Sequence, residues 1–167
     1  INQKQIGQGV VRNAKEKVKR KKDLELSTPT SGVYISDPLI NPTPTKDQIR
    51  LLLNTWLSSK AAILFGDENS SLEIVAREEL VKRVNKQREK DFAKGEKQFI
   101  ETIIKSIDLV SQTKKRIEIK ANISYKDKRM TSSGEIISET TIPNLNVTYI
   151  LGRDKDQWQL VDYISGS

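Results

Sequence analysis

Ile117-Glu118-Ile119-Lys120-Ala121-Asn122-Ile123-Ser124-Tyr125 sets an apolar side chain at every second position. A strand repeats its side-chain direction every two residues, so this run predicts a strand with one buried face and one wet face. The pattern returns in Leu145, Val147, Tyr149 and Leu151, and again in Trp158, Leu160 and Ile164. In the last run Asp162 falls in phase with the apolar set, which predicts a carboxylate on the buried side. Ahead of them, Phe99 to Val110 is rich in β-branched residues (Ile100, Thr102, Ile103, Ile104, Ile107) and predicts a first strand. Turns are expected at residues 112–115 and 152–156. The polar stretch 126–142, with Ser132, Ser133 and Gly134 at its tip, reads as a loop, and Pro143 marks the start of the next strand.

A half-buried sheet must be covered, and the cover precedes it in the chain. Thr45 with Gln48 three residues on fits a capping box. Ile49, Leu52, Leu53, Trp56, Ile63 and Leu64 follow at helical spacing, and Gly66 stops the helix. Ser70 with Glu73 repeats the capping pattern ahead of Leu72, Val75, Ala76, Leu80, Val81 and Val84, which predicts a short helix and a longer one, or one kinked helix. Residues 85–94 are mostly charged around Phe92, and Gly95 ends the helical half. Helices followed by four antiparallel strands make an α+β layout. A curved sheet wrapped on a long helix gives an open cone whose wide end can hold a ligand.

The chain of 167 residues divides into a basic, Pro-containing tether at 1–44 and the α+β domain at 45–167. It begins with Ile1 rather than Met, which points to a fragment of a longer protein. No apolar run approaches the ~18 residues of a membrane span, so an anchor would lie outside these residues. With no Cys and no His, thiol nucleophiles, Ser-His-Asp triads, Cys/His zinc sites and imidazole shuttles are excluded. No metal or other cofactor is expected. Of the net charge of +7, residues 1–30 contribute +5 through a cluster that includes Arg12, Lys15, Lys17, Lys19, Arg20, Lys21 and Lys22. The body is near neutral and no aromatics interleave with the basic residues, so no nucleic-acid partner is expected. The tail reads either as a solvated tether or as a patch for anionic lipid, at ~1 kcal/mol per basic residue. Val33, Tyr34, Ile35, Leu39 and Ile40 are apolar enough for part of the linker to lie on the domain.

Leu52, Trp56, Leu57, Lys60 and Ala61 resemble the opening of the intermembrane-space domain of the plastid division protein and its cyanobacterial homologue ZipN. The similarity continues through Ile119 to Ala121, through Val147, Tyr149, Leu151 and Arg153, and through Trp158 and Leu160. It covers roughly residues 46–164. The resemblance implies a cone-shaped α+β domain similar to nuclear transport factor 2. It also implies a membrane-anchored division protein whose domain faces the periplasm or intermembrane space and binds the C-terminal tail of another division protein. Family members commonly carry an acid near the end of the second strand, where this chain has Ser124, Tyr125 and Lys126. The basic cluster itself fits the cytoplasmic side if a span ends just before Ile1.

Lys60, four residues after Trp56, lies on or beside the face that helix 1 should bury. Its ammonium needs a carboxylate, a carbonyl or water at the cone mouth. One reading makes it the donor to the C-terminal carboxylate of a bound peptide; the other has it snorkel to the rim. Trp56, Phe99, Tyr149 and Trp158 either line the cone or fill the core. Together with Lys60, Tyr125 and Asp162, the first three make the candidate partner-binding set. Arg153 and Asp154 read as solvated turn residues. Asp108, Glu118 and Asp162 are the strand carboxylates on which a cone-fold isomerase or dehydratase would rest. A third class, a structural spacer, would bury the sheet face in a symmetric homodimer.

Overall fold

A computed structural model describes residues 43–67, 71–154 and 157–166. The basic cluster, the apolar linker residues 33–40 and Ser70 lie outside the described residues.

The Thr45 capping box forms in both directions. The Gln48 N–H donates to Thr45 Oγ1 at 3.1 Å and the Thr45 N–H to Gln48 Oε1 at 2.8 Å. Two otherwise orphaned donors are thereby satisfied and α1 starts cleanly at Lys46–Phe65. It ends at Gly66, whose φ of 119° suits a residue without Cβ and lets its N–H reach the carbonyls of Ala62 and Ile63. Every apolar residue named for its inner face is buried.

The second capping box does not start a helix. Leu72, Val75 and Ala76 are buried, but in a turn, and Ala76 makes a parallel bridge to Leu160. The Arg77 N–H donates to Leu160 O and the Leu160 N–H to Val75 O, at 2.9 and 2.7 Å. A strand edge thus takes the backbone groups that a helix would have used. Helix α2 is Glu78–Ala93, entered from Arg77 with no side-chain cap.

Four strands follow: β1 Glu96–Gln112, β2 Arg116–Thr131, β3 Ile136–Arg153 and β4 Trp158–Gly166. They form one open antiparallel sheet in sequence order. The inner face buries Ile104 and Ile107 of β1, Ile117, Ile119, Ala121 and Ile123 of β2, Val147, Tyr149 and Leu151 of β3, and Trp158 and Leu160 of β4. They pack with the α1 face, Leu80 and Val84 of α2, and the 72–76 turn in one core. Each large apolar side chain buried there is worth about 1.5–3 kcal/mol. Helix α1 touches both outer strands, β1 through Phe65 on Phe99 and β4 through Trp56 on Tyr163. The sheet therefore curls around it.

Residues 126–142 are not a loop. Strands β2 and β3 run through them as a hairpin that turns only at residues 132–135. The expectation failed because period-two alternation marks burial rather than extension. A strand of 16 residues spans roughly 53 Å, whereas the 20-residue α1 spans about 30 Å, so the sheet overhangs its cover. Pro143 lies inside β3 at a register shift, a place where a missing N–H costs no ladder bond.

Bulges also reset the phase. In β1 the shift between Ile104 and Ser106 lets Ile104 and Ile107, three apart, face the same way. In β4 the shift at Val161 overturns the reading of Asp162. Tyr163 pairs with Tyr149 on the inner face, while the Asp162 side chain is 50 % exposed, with Arg83 at 4.0 Å. Ile164 is likewise exposed.

Candidate functional site

Beyond Ile123 the apolar row on the inner face of β2 becomes polar. After Ile123 come Tyr125, Asp127 and Arg129, all half-buried and all on the inner side of the pleat. The Tyr125 hydroxyl donates to Asp127 Oδ2 at 2.9 Å, and Gln98 Nε2 donates to the same oxygen at 3.5 Å. Burial, and then the bond to Asp127, pushes the Tyr125 phenol well above its ordinary range, so it stays protonated as a donor. The resemblance implies an acid where residues 124–126 have none; Asp127 is the first acid after them, two residues beyond the expected end of the strand.

Lys60 projects from α1 toward the same region. Its Nζ donates to Tyr163 Oη at 3.2 Å and lies 5.5 and 5.0 Å from the ring centroids of Trp56 and Tyr163. Cation–π attraction stabilises this placement of the charge. Among the described residues no carboxylate pairs with Lys60. Asp162, expected beside it, faces the other way; Tyr163 stands in its place because of the β4 bulge.

Trp56 and Tyr149 are 1 % exposed and Trp158 is fully buried, so all three are core residues that support the site from beneath. Burial and the neighbouring Tyr163 raise the Tyr149 phenol. Phe99 packs edge-on against Phe65 at 5.6 Å at the far end of α1, apart from Lys60. The structure thus groups Lys60 and Trp56 of the expected set with Tyr163, sets Tyr125 with Asp127 where Tyr163 acts on it only electrostatically, keeps Tyr149 in the core, and leaves Phe99 and Asp162 outside.

Two charge clusters went unread in the sequence. Asp91, 1 % exposed on the last turn of α2, accepts from Arg129 Nη1 and Gln87 Nε2, each at 2.8 Å. Arg129 also reaches Glu96 at 3.3 Å, and its bond to Asp91 raises its already high pKa. The only signal was the spacing of Gln87 and Asp91, one turn apart. Asp154 is not simply solvated, since Arg77 and Arg116 both pair with it. A Cβ on Gly152 would lie 2.7 Å from Arg116 Nη1 and 2.8 Å from Val161 Cγ2, so a side chain there would push both aside and disturb this cluster. Among the described residues no set of three acids converges on a metal-sized site, and no helix is long and apolar enough to cross a membrane.

A family model described as the ARC6-like, IMS domain matches residues 50–161. The chain belongs to this family. No curated protein matches it. Among solved structures, the intermembrane space region of chloroplast protein ARC6 matches with a TM-score of 0.59 at 12 % identity, covering 74 % of this chain and 98 % of that one. At that identity the likeness establishes a shared fold. A protein from Catenulispora acidiphila also matches, at a TM-score of 0.43 and 12 % identity over 73 % of this chain and 94 % of its own, too distant to add to the assignment. In this ARC6-like domain the matched span runs from Arg50 in α1 to Val161 at the β4 bulge. It therefore contains Lys60, Tyr125 and Asp127, while Tyr163 lies just beyond it.

Proposed function

We propose that this ARC6-like domain is a non-enzymatic interaction module of a membrane-anchored division protein, which recruits or positions another division component by holding its C-terminal peptide. Lys60 carries the reading. A half-buried ammonium held over two aromatic faces, with a hydroxyl as its partner and no counter-charge among the described residues, suits an incoming carboxylate. The finer description of the fold, a cone similar to nuclear transport factor 2, belongs to the same proposal, with Tyr125, Asp127 and Tyr163 lining its mouth. The basic residues Lys15, Lys17, Lys19, Arg20, Lys21 and Lys22 would add attraction to anionic lipid on the anchored side. In this reading the domain faces the periplasm or intermembrane space, and alkaline phosphatase fused to its C-terminus is active; an inactive fusion would place it in the cytoplasm.

The binding test compares short peptides that differ only in a free or amidated C-terminus. A charge-assisted hydrogen bond is worth about 1.5–3 kcal/mol, so the free acid should bind ten- to a hundredfold more tightly. Lys60→Met should erase that difference while leaving the fold intact. Equal affinities for both peptides in the wild-type chain would remove Lys60 from the site.

One observation favours catalysis as a second reading: Tyr125 and Asp127 form the acid–base pair that a cone-fold enzyme would use. Each is engaged by the other, however, which suits a fixed wall better than a base awaiting a substrate proton.

A further inference from the structure

Strand β4 pairs with β3 only from Asn146 to Arg153, whereas β2 pairs with β3 along its whole length from Ile136 to Gly152. Among the described residues, the outer edge of β3 from Ile136 to Leu145 therefore has no strand beside it. The other two edges are each met at one point: Leu160 of β4 pairs with residues 75–77, and Arg50 of α1 donates to Ile104 O of β1. Between Ser138 and Ile142 the register is regular and flanked by bulges, which leaves a straight rail of about 16 Å. In an antiparallel ladder every second residue turns its N–H and C=O away from its partner, so this rail presents backbone donors and acceptors to solvent.

We infer that Ser138–Ile142 is a docking edge that takes an extended segment of a partner as an added strand, with a basic side chain facing inward opposite Thr140. The inference rests on the reading of this domain as a peptide-binding module and shares Asp127 with the proposed mouth, but its backbone contacts lie on the β3 edge rather than at Lys60. Thr140 pairs with Asp127, whose Oδ1 is buried and accepts no hydrogen bond among the described residues. A residue opposite Thr140 on an added strand stands roughly 9.6 Å from Asp127, within reach of a Lys or Arg stem. The rail bears acidic Glu139, with Glu135 in the turn before it, and no Lys or Arg occurs from Gly134 to Gly152 in a chain holding 29 of them. Exposed edges are commonly guarded by Lys, and this one lacks that guard. A second copy paired two-fold about the centre of this rail would set Thr140 against Thr140 and Glu139 against Thr141, and so would bring no basic side chain to Asp127. An inward basic side chain opposite Thr140 supplies that charge; Lys126 and Lys128 alternate to the other face, and Arg129 is already paired with Asp91 and Glu96.

The probe is a seven-residue peptide of alternating valine and threonine around a central arginine, titrated against the whole 167-residue chain. Binding should slow amide exchange at Ser138–Ile142, and N-methylating the peptide residues that face β3 should abolish it. Replacing the central arginine by glutamate, or Asp127 by Asn, should weaken binding at least tenfold. Thr140→Pro should remove it, with the N-methylated peptide as the control that needs no mutant to fold. Unchanged exchange along the rail, or equal binding of the arginine and glutamate peptides, would overturn the proposal. Loss here with the Lys60-dependent preference intact would overturn this edge alone.

Discussion

At the scale of single residues, the most consequential charge is Asp91, which lies beneath the last turn of α2 and shares one oxygen between Arg129 and Gln87. A carboxylate at 1 % exposure persists only with such partners, because removing one leaves its charge in a poorly solvating interior. Arg129→Ala should therefore cost on the order of 3 kcal/mol in urea unfolding. Asp91→Asn, combined with the Arg129 change, should recover much of that loss by discharging the stranded group. A double mutant no better than Arg129→Ala would show that the arginine acts by packing. None of this was legible in the sequence, since residues 85–94 carry charges on every side and nothing local marks which one is buried. Lys60 was legible as an oddity beside Trp56. Its partner was not, because Tyr163 and Asp162 exchange faces through a bulge at Val161 that leaves no trace in the alternation.

At the scale of elements, the clearest success and the clearest failure share a cause. Thr45 and Gln48 mark the start of α1 because the capping box is made within four residues and needs no distant partner. Thr45→Ala should lower stability by about 1 kcal/mol, read as a shift of the urea midpoint at unchanged slope. Ser71 and Glu73 form a similar local contact at 2.8 Å, yet no helix follows, because the edge of β4 claims the backbone of residues 75–77. A local signal states what a segment can do alone; a strand edge nearby can outbid it. The β2–β3 hairpin was missed for the opposite reason. Its outer half is exposed along β3 and only half-buried, by polar side chains, along β2, so hydropathy had nothing to report.

At the scale of the whole molecule, curling the sheet around α1 places Tyr149 and Tyr125 where phenolate is poorly solvated. Burial is the first cause for both. Their folded pKa values lie above the ordinary 10.0, so above that pH the unfolded chain releases protons that the folded chain keeps. Their contribution is complete below pH 10 and lost as the pH rises further. Urea midpoints followed by Trp56 and Trp158 fluorescence should fall steeply above pH 10, and Tyr149→Phe should flatten the fall. Sequence alone determined what depends on neighbours along the chain: the helix with its caps, the strands under cover, the buried row from Ile117 to Ile123, and the family. Tertiary structure decided what depends on neighbours across the sheet: the phase after each bulge, the exchange of Asp162 for Tyr163, the pairing of Asp91, and the edge left open where β4 ends. Periodicity records which side of a segment is dry. It does not record which strand stops short, because that is settled by the strand beside it.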